Sequence, residues 1–345
     1  SELLQNARRA GATQVGVEHD PSTERLTVID DGCGIDDFQR LLTFNESGWD
    51  EHTIQSEHAF GLGFSKCLYA ARRVVVTSRG QRLAFNCDEA LDQAELEVVA
   101  APDADPKLTS VVLEGVDLPQ LDQHIDRITS GFPLPVVYNR VPQARRHSLA
   151  SKSYTTTDIG SVYLWGTDTG EPATATVLYL QGLLIGSLDR HFYWDHGNVD
   201  VVHLDPSRFM ARMPDRAELI DADEQAKLIG AAIRQQWLEV LEDRREAFRR
   251  EGVRDREADA DAAFCVDLCT SLGVEIQVLH LDPGVPRGLS RESWWRRHAL
   301  GSALPGFRIP DLHIRRSGQQ VEVSWDDSEW RSVPRGMQIV EPGIQ

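Results

Sequence analysis

The sequence of 345 residues has fewer basic than acidic residues, little cysteine and no long apolar run, and each shortage argues against a class of protein. The net charge of −18 argues against a surface that holds nucleic-acid phosphates along its whole length. The five cysteines are odd in number and scattered, which favours a reducing cytoplasm over a disulfide framework. The longest apolar runs, such as 177–180, are far shorter than the roughly 20 residues of a membrane span. We therefore expect a soluble, cytoplasmic protein that does not enter the membrane.

The N-terminus and the basic residues give a little further information about the origin and the partners of the protein. The sequence begins Ser-Glu-Leu-Leu, without an initiator methionine or a signal-peptide pattern, which is consistent with native residues upstream. Scarce lysine beside abundant arginine favours a bacterial genome rich in G and C. Short basic clusters at 145–147 and 296–298 leave contact with nucleic acid open without indicating it.

The first 115 residues are predicted to form an α/β sandwich with helices on one face of a mostly antiparallel sheet. Apolar periodicity predicts helices over 2–12, 37–43 and 64–71. Alternating patterns predict strands at 14–18, 25–29, 74–78, 82–86, 94–100 and 110–114. Residues 45–58 are polar and poorly periodic, so we interpret them as a candidate mobile lid.

A cluster of prolines and basic residues predicts a linker at 134–157. The region after it is predicted to contain a long amphipathic helix over 222–250 and strands at 161–166, 174–180, 183–185 and 199–204. The tail is predicted to contain a helix at 262–272, a strand at 274–279 and a strand pair near 312–325. The expected fold class is α+β, with domains at 1–133, 158–251 and 252–345, the last of unknown role.

The first motif is the helical segment Glu2-Leu3-Leu4-Gln5-Asn6. Glu2 and Asn6 are four residues apart and so share one helix face. A carboxylate and a carboxamide stacked in this way can hold a water beside a phosphate and complete the oxygen shell of Mg²⁺. Taken alone, the spacing is more typical of an ordinary amphipathic helix.

The second motif, Val28-Ile29-Asp30-Asp31-Gly32-Cys33-Gly34-Ile35, is an apolar strand that ends in an acid and two alternate glycines. Asp30 at a strand end can accept a hydrogen bond from an exocyclic amine. The glycines let the backbone approach a flat base closely. A simple Asp-Gly turn explains the segment equally well in isolation.

The third motif, Phe60-Gly61-Leu62-Gly63-Phe64-Ser65-Lys66, opens an apolar helix. Backbone N–H groups at such a helix start, unobstructed by side chains, can bind a triphosphate. The spacing fits neither the Rossmann nor the Walker pattern, and a lone Gly-x-Gly is weak evidence.

The order and spacing of the three motifs resemble the GHKL superfamily, which includes DNA gyrase, heat-shock-ninety chaperones, sensor histidine kinases and MutL proteins. The segments Gly11-Ala12-Thr13 and Phe60-Gly61-Leu62-Gly63-Phe64 look most similar to the chaperone and MutL branches. The resemblance implies a Bergerat-type ATP-binding domain followed by a βαβ transducer or middle-like domain. It is specific over 2–114 and fainter over about 165–250.

The resemblance implies a role for each residue of the motifs. Glu2 matches the general base, Asn6 the Mg²⁺ ligand and Asp30 the acceptor of the adenine amine. Thr109 lies where the family places a threonine that helps Asp30 read adenine, although an ordinary strand threonine is the alternative. The loops around base and phosphates would comprise Gly32, Gly34, Ile35, Gly61, Leu62, Gly63 and Phe64.

Two arginines bear on the resemblance in opposite ways. Arg9 stands where many members have an acid, so the detailed geometry of the pocket is expected to differ. The segment Met213-Pro214-Asp215-Arg216 is similar to the chaperone segment that supplies an arginine to the γ-phosphate, so Arg216 is a candidate catalytic residue, with Arg212 as its substitute. A surface arginine in an ion pair at the helix start explains Arg216 equally well.

Other histidines, cysteines and tryptophans could suggest a ligand site, but each is better explained as an ordinary structural residue. His191 and His196 fit a partly buried loop better than a metal site. A metal at Cys265 and Cys269 would need two further ligands, so ordinary buried thiols are favoured. The tryptophans at 294–295 are better explained as an interface or core anchor than as a platform for bases.

These inferences predict a slow, Mg²⁺-dependent ATPase that acts as an ATP-gated clamp on a protein or nucleic-acid client, with ATP-dependent homodimerisation. The alternative is a binding module that takes up ATP without hydrolysing it. A histidine kinase is disfavoured because no dimerisation helix pair with a phospho-accepting histidine precedes the pocket. A type II topoisomerase subunit is disfavoured because no cleavage core follows.

Overall fold

The computed structural model describes residues 1–43, 63–170, 173–188, 198–212 and 218–251, with Leu268, Leu272 and five short strands further on. Several predicted features lie outside the described residues. They are the candidate lid at 45–58, Gly61, Leu62, His191, His196, Arg216, Cys265, Cys269, the tryptophans at 294–295 and most of the helix predicted at 262–272.

The first sheet contains eight strands in the order β5-β4-β3-β6-β2-β1-β7-β8. All neighbouring pairs are antiparallel except β1 and β7, which run parallel. The strands are β1 (Val15–Asp20), β2 (Arg25–Asp30), β3 (Arg73–Ser78), β4 (Gln81–Asn86), β5 (Val98–Ala100), β6 (Thr109–Glu114), β7 (Val136–Tyr138) and β8 (Val141–Pro142).

Helices cover one face of this sheet because alternate strand residues are apolar and buried there. In β3, Val74 and Val76 are fully buried, and they share a core with Phe64 and Leu68 at the start and middle of a helix. The helices described in this region are α1 (Glu2–Arg9), α2 (Phe38–Leu42), α3 (Ser65–Ala70), α4 (Cys87–Leu91) and α5 (Leu121–Thr129). The predicted sandwich of helices on a mostly antiparallel sheet is therefore confirmed.

The second sheet has the order β12-β11-β13-β10-β9, with β11 and β13 parallel and the other pairs antiparallel. Every residue of β13 is buried, as expected for the central strand of a covered sheet. The strands are β9 (Thr155–Thr157), β10 (Gly160–Tyr163), β11 (Ala175–Leu180), β12 (Leu183–Ser187) and β13 (Val199–Leu204). Both sheets belong to one compact unit, formed by 1–163 and 175–227.

A second unit comprises 164–174 and 228–345. Its helices include α6 (Trp165–Thr169) and most of α7 (Ala222–Glu251). Within it, Arg234 donates a 2.6 Å hydrogen bond to the carbonyl of Leu272. The tail pairs β14 (Ile276–Val278) in parallel with β18 (Met337–Ile339), and forms an antiparallel sheet of β15 (His313–Ser317), β16 (Gln320–Ser324) and β17 (Arg331–Ser332).

Some elements differ from the sequence prediction for identifiable reasons. α4 was not predicted, although Asn86 and Glu89 form a capping box that starts it. β5 comprises only the last three residues of the strand predicted over 94–100. α6 begins at Trp165, inside the segment predicted as a strand at 161–166. The segment 134–157 contains β7, which extends the first sheet, and β9, which extends the second. Among the helices in the described ranges, none has the length and apolar character that crossing a membrane requires.

Candidate nucleotide-binding site

Helix α1 carries the first motif and buries one side in the core. Leu4 and Ala7 pack against the strands of the first sheet, and Glu2 is only 6% exposed. Asn6 is half-buried one turn further on. The carboxylate and the carboxamide therefore lie on one face of a helix that the core holds in place.

The glycine loop meets α1 at its N-terminal end. A side chain at Gly63 would place its Cβ 2.7 Å from Glu2 Oε2, so any larger residue at this position would require the carboxylate to shift. Phe64 is buried among apolar residues and anchors the end of the loop. The other carboxylate oxygen, Oε1, accepts a 3.0 Å hydrogen bond from Lys66 Nζ.

The second motif meets α1 at its C-terminal end. The backbone N–H of Cys33 donates to the carbonyl of Ala10 at 2.8 Å. A Cβ at Gly32 would lie 2.6 Å from Ala10 Cβ and 2.9 Å from Ala10 O, so this glycine permits a close approach of backbone to helix. Both glycine-containing motifs thus contact the same helix.

A buried hydroxyl pair supports the turn from the neighbouring strands. Asp30 lies directly opposite Thr109 in the β2–β6 register. The hydroxyls of Thr109 and Ser78 are 2.9 Å apart, and Ser78 Oγ accepts a 3.0 Å hydrogen bond from the N–H of Ile35. Gly34 adopts a φ of +80°, which favours glycine. Sequence reasoning missed Ser78, whose signal is a hydroxyl at the end of an apolar strand.

The neighbouring carboxylates of Asp30 and Asp31 have opposite environments. Burial raises the pKa of Asp30 above its usual value, although the N–H of Gly32 donates to it at 3.0 Å. Hydrogen bonds from the hydroxyl and N–H of Thr13 lower the pKa of Asp31. Asp31 therefore ties the turn to the start of β1, whereas Asp30 sits in a partly desolvated position suited to a neutral donor.

Arg79 clamps the outer side of the same turn. Its Nε and Nη2 both donate to the carbonyl of Cys33, at 2.9 and 2.6 Å, and Nη1 pairs with Asp36. The D-x-G-x-G turn is thus held from α1, from Ser78 and from the β3–β4 turn.

The most buried polar side chain of α1, Gln5, was also missed by sequence reasoning. It is fully buried, donates a 2.8 Å hydrogen bond to the carbonyl of Gln181, and accepts one from Arg8 Nε at 2.8 Å. Gln181 lies in the turn between β11 and β12, and Leu183 just beyond it packs in the same core as Leu4. The helix that carries Glu2 and Asn6 is therefore bonded to the second sheet.

The other residues predicted for the site lie at the end of α1, in an exposed ion pair or outside the described residues. Arg9 is half-buried at the end of α1. Arg212 forms an exposed ion pair with Glu218 at 3.2 Å, and Arg216, Gly61 and Leu62 lie outside the described residues. A hollow of about 490 Å³ opens on the opposite face of the sheet, where Ile29 of the second motif and Val75 line it, and its lining does not include Glu2, Asn6 or Asp30.

Comparison with known proteins supports one broad assignment. Residues 1–109 match the family model described as histidine kinase-, DNA gyrase B- and HSP90-like ATPase. The match supports the GHKL superfamily, and hence ATP binding, for this part of the chain. The chaperone or MutL branch stays a prediction.

Two further comparisons add little. The ATPase region of Saccharomyces cerevisiae topoisomerase II is similar over 54% of this chain and 61% of that one, at 12% identity and a TM-score of 0.36. This chain therefore spans less than two thirds of that structure. Comparison with curated proteins gave no match.

Proposed function

We propose that the first domain binds ATP along α1 and that the chain is a slow, Mg²⁺-dependent ATPase. The observation that carries the proposal is that the two glycine-containing motifs pack against opposite ends of this helix. From Glu2 to Ala10 the helix axis rises about 12 Å, on the scale of an extended nucleoside triphosphate. One helix thereby separates a base end from a phosphate end.

At the base end, Asp30 would accept a hydrogen bond from the adenine amine, with Thr109 beside it. The raised pKa of Asp30 supports this role, because it reflects a carboxyl that burial has partly removed from water. A neutral amine can donate to such a carboxyl with little competition from water. Gly32, Gly34 and Ile35 would lie against the flat ring, since the turn is already held in shape by Ser78 and Arg79.

At the phosphate end, main-chain amides at 61–64 would hold the triphosphate. The donors near it fit Mg²⁺, which prefers oxygen ligands and keeps several waters, because Asn6 supplies a carboxamide oxygen one turn from Glu2. Asn6 would hold the ion together with phosphate oxygens. The ion would neutralise charge on the phosphates when bound.

For hydrolysis, Glu2 would accept a proton from a water whose oxygen attacks the γ-phosphorus. A new bond from this oxygen to phosphorus forms as the bond from phosphorus to the β–γ bridging oxygen breaks, which gives ADP and phosphate. The burial of Glu2 beside Gly63 supports this role, since a base excluded from bulk water keeps its geometry.

The output would be an ATP-gated clamp on a protein or nucleic-acid client, with a homodimer formed in the ATP state. The bond between Gln5 and Gln181 supports communication between the pocket and the second sheet. Arg216 would reach the γ-phosphate from that second region.

Isothermal titration with ATP and ADP tests the pocket directly. We expect wild type to bind both nucleotides and Asp30→Asn to lose at least tenfold in affinity, because the substitution removes the negative charge and replaces one acceptor oxygen with an NH2 group that cannot accept from the adenine amine. Asp88→Asn, at an exposed position on α4, is the matched control and should bind as wild type. Equal affinities for the wild type and Asp30→Asn would exclude this adenine site.

The competing proposal is a module that binds ATP without hydrolysing it. A substitution of Glu2 distinguishes this module from an ATPase. Glu2→Ala should abolish phosphate release while it preserves ATP binding under the ATPase proposal. Under the binding-module proposal, wild type itself releases no phosphate, and the substitution changes nothing. Size-exclusion chromatography with a non-hydrolysable ATP analogue tests the dimer.

A further inference from the structure

We propose that Lys66 is a positioning residue for Glu2, fixing the carboxylate in the orientation from which it acts as a base. This inference rests on the proposed ATPase function. It deepens that function because none of the three motif roles assigns Lys66 a task. The residue lies in the first turn of α3, immediately after the glycine loop.

The ion pair between these residues is unusual in its burial. The side chain of Glu2 is 7% exposed and that of Lys66 is 34% exposed, and Lys66 Nζ lies 3.0 Å from Glu2 Oε1. A carboxylate so far removed from water is costly unless it is paired and hydrogen-bonded. The ammonium therefore does more here than a surface partner, whose contribution is usually small.

The helix that carries Lys66 has little freedom to move. The two residues that follow it, Cys67 and Leu68, are buried in the core beneath the first sheet. Phe64, two residues before it, is buried in the same core. The root of the lysine is therefore fixed, and from this position its ammonium reaches Glu2 Oε1 at 3.0 Å.

The pair also determines which carboxylate oxygen serves the reaction. Oε1 accepts from Lys66, whereas Oε2 lies on the side of Gly63, where a Cβ would approach it to 2.7 Å. Rotation of the carboxylate would exchange these positions and break the bond to the ammonium. Lys66 thus directs Oε2 toward the loop that holds the phosphates in the proposed function.

Loss of this direction affects chemistry more than binding. A displacement of about 1 Å at a reacting group can cost roughly a hundredfold in rate. We therefore expect Lys66→Ala to lower kcat about 10- to 100-fold, with the Kd for ATP changed less than about threefold. A lysine that instead binds phosphate would give the reverse pattern, a large loss of affinity for ATP.

The test measures kcat, KM and the calorimetric Kd for ATP in the full chain for Lys66→Ala, Lys66→Arg and Lys107→Ala. Lys107 is an exposed loop lysine that touches none of the motifs, so its substitution should leave all three quantities unchanged. Lys66→Arg keeps a cation within reach of the carboxylate and should recover part of kcat. In a Glu2→Gln background, Lys66→Ala should lower the residual rate no further, because its effect passes through Glu2.

Three results would overturn the inference. Lys66→Ala with wild-type kcat would show that the pair does not position the base. A tenfold or larger loss of ATP affinity at unchanged kcat would assign Lys66 to the phosphates. An equal loss of rate in the Glu2→Gln background would show that it acts elsewhere. A wild-type chain that neither binds nor hydrolyses ATP would instead refute the proposed function itself, while non-additive Tm changes of the two substitutions without nucleotide would still report the ion pair.

Discussion

The two ends of α1 are built in different ways. At the C-terminal end, the D-x-G-x-G turn is bonded to Ala10, to Ser78 and to Arg79, so three separate elements hold it. At the N-terminal end, within the part of the chain that the structure describes, Glu2 meets Lys66 and Gly63. The base end is a turn, at the end of a central strand, whose backbone groups are bonded by several elements, whereas the described contacts of the phosphate end involve the side chain of Glu2.

This difference suggests a division of labour in the proposed ATPase. A turn held from several elements needs little reorganisation to receive a flat ring, which favours binding. A carboxylate paired with the end of a long lysine side chain can be displaced by small changes nearby, which makes turnover the more sensitive property. Substitutions at the base end should therefore alter folding and binding together, and those at the phosphate end should alter rate.

The largest effect is expected from Gly32→Val, which breaks the base end. Its Cβ would collide with Ala10 Cβ and with the carbonyl of Ala10, a backbone atom that cannot move aside cheaply. We expect a loss of about 3 kcal/mol in the free energy of unfolding and no measurable ATP binding. Differential scanning calorimetry and isothermal titration measure the two effects.

Gly16→Ala is the matched control for this substitution. Gly16 lies in β1 of the same sheet, and a Cβ there would meet its nearest neighbours in Ile29 at 3.9 Å, an ordinary contact. Its Tm and ATP affinity should stay close to those of wild type. If Gly32→Val were equally harmless, the turn would not be packed against α1 as described.

The middle of the helix should give the next largest effect. Gln5→Ala removes the donor to the carbonyl of Gln181 and the acceptor for Arg8, and the loss of two hydrogen bonds at a fully buried side chain costs roughly 2 kcal/mol. We expect a Tm several degrees lower and a reduced kcat, because α1 also carries Glu2. Gln39→Ala, at an exposed position on α2, should change neither quantity. A wild-type Tm for Gln5→Ala would mean that the bond between helix and second sheet contributes nothing to stability.

What could be predicted from the sequence follows from the range of each interaction. The strand that ends at Asp30 and the glycines after it are local patterns, which the sequence alone can reveal. The partners that complete the site are distant in sequence: Lys66 is 64 residues from Glu2, and Gln181 is 176 residues from Gln5. No local pattern marks such pairs, because they depend on how the helices and the two sheets pack.

α5 illustrates the same limit for the fold. It is short and has no side-chain hydrogen bond at its N-cap, so propensity and capping give little indication of it. Packing supplies the missing stability, since Ile125 of α5 is buried in the core beside Phe132. Short helices of this kind are determined by tertiary contacts more than by local sequence.

The smallest expected effect separates the adjacent carboxylates of the base end by the sign of their pH dependence. The folded-state pKa of Asp30 is raised, so its contribution to stability is complete below the unfolded value near 4 and is lost as pH rises through the folded value. Asp30→Asn should therefore raise Tm by about 1–3 °C at pH 7.5 and have little effect near pH 3.5.

Asp31 should show the opposite sign. Its folded-state pKa is lowered by hydrogen bonds from Thr13, so it stabilises the fold above the unfolded value and loses that contribution as pH falls through the folded value. Asp31→Asn should lower Tm by about 1–3 °C at pH 7.5, and the loss should shrink toward acid pH. Thermal unfolding of both variants at the two pH values checks the comparison. Shifts of the same sign would mean that Asp30 is as well solvated and bonded as its neighbour, which would remove the electrostatic support for adenine recognition at this position.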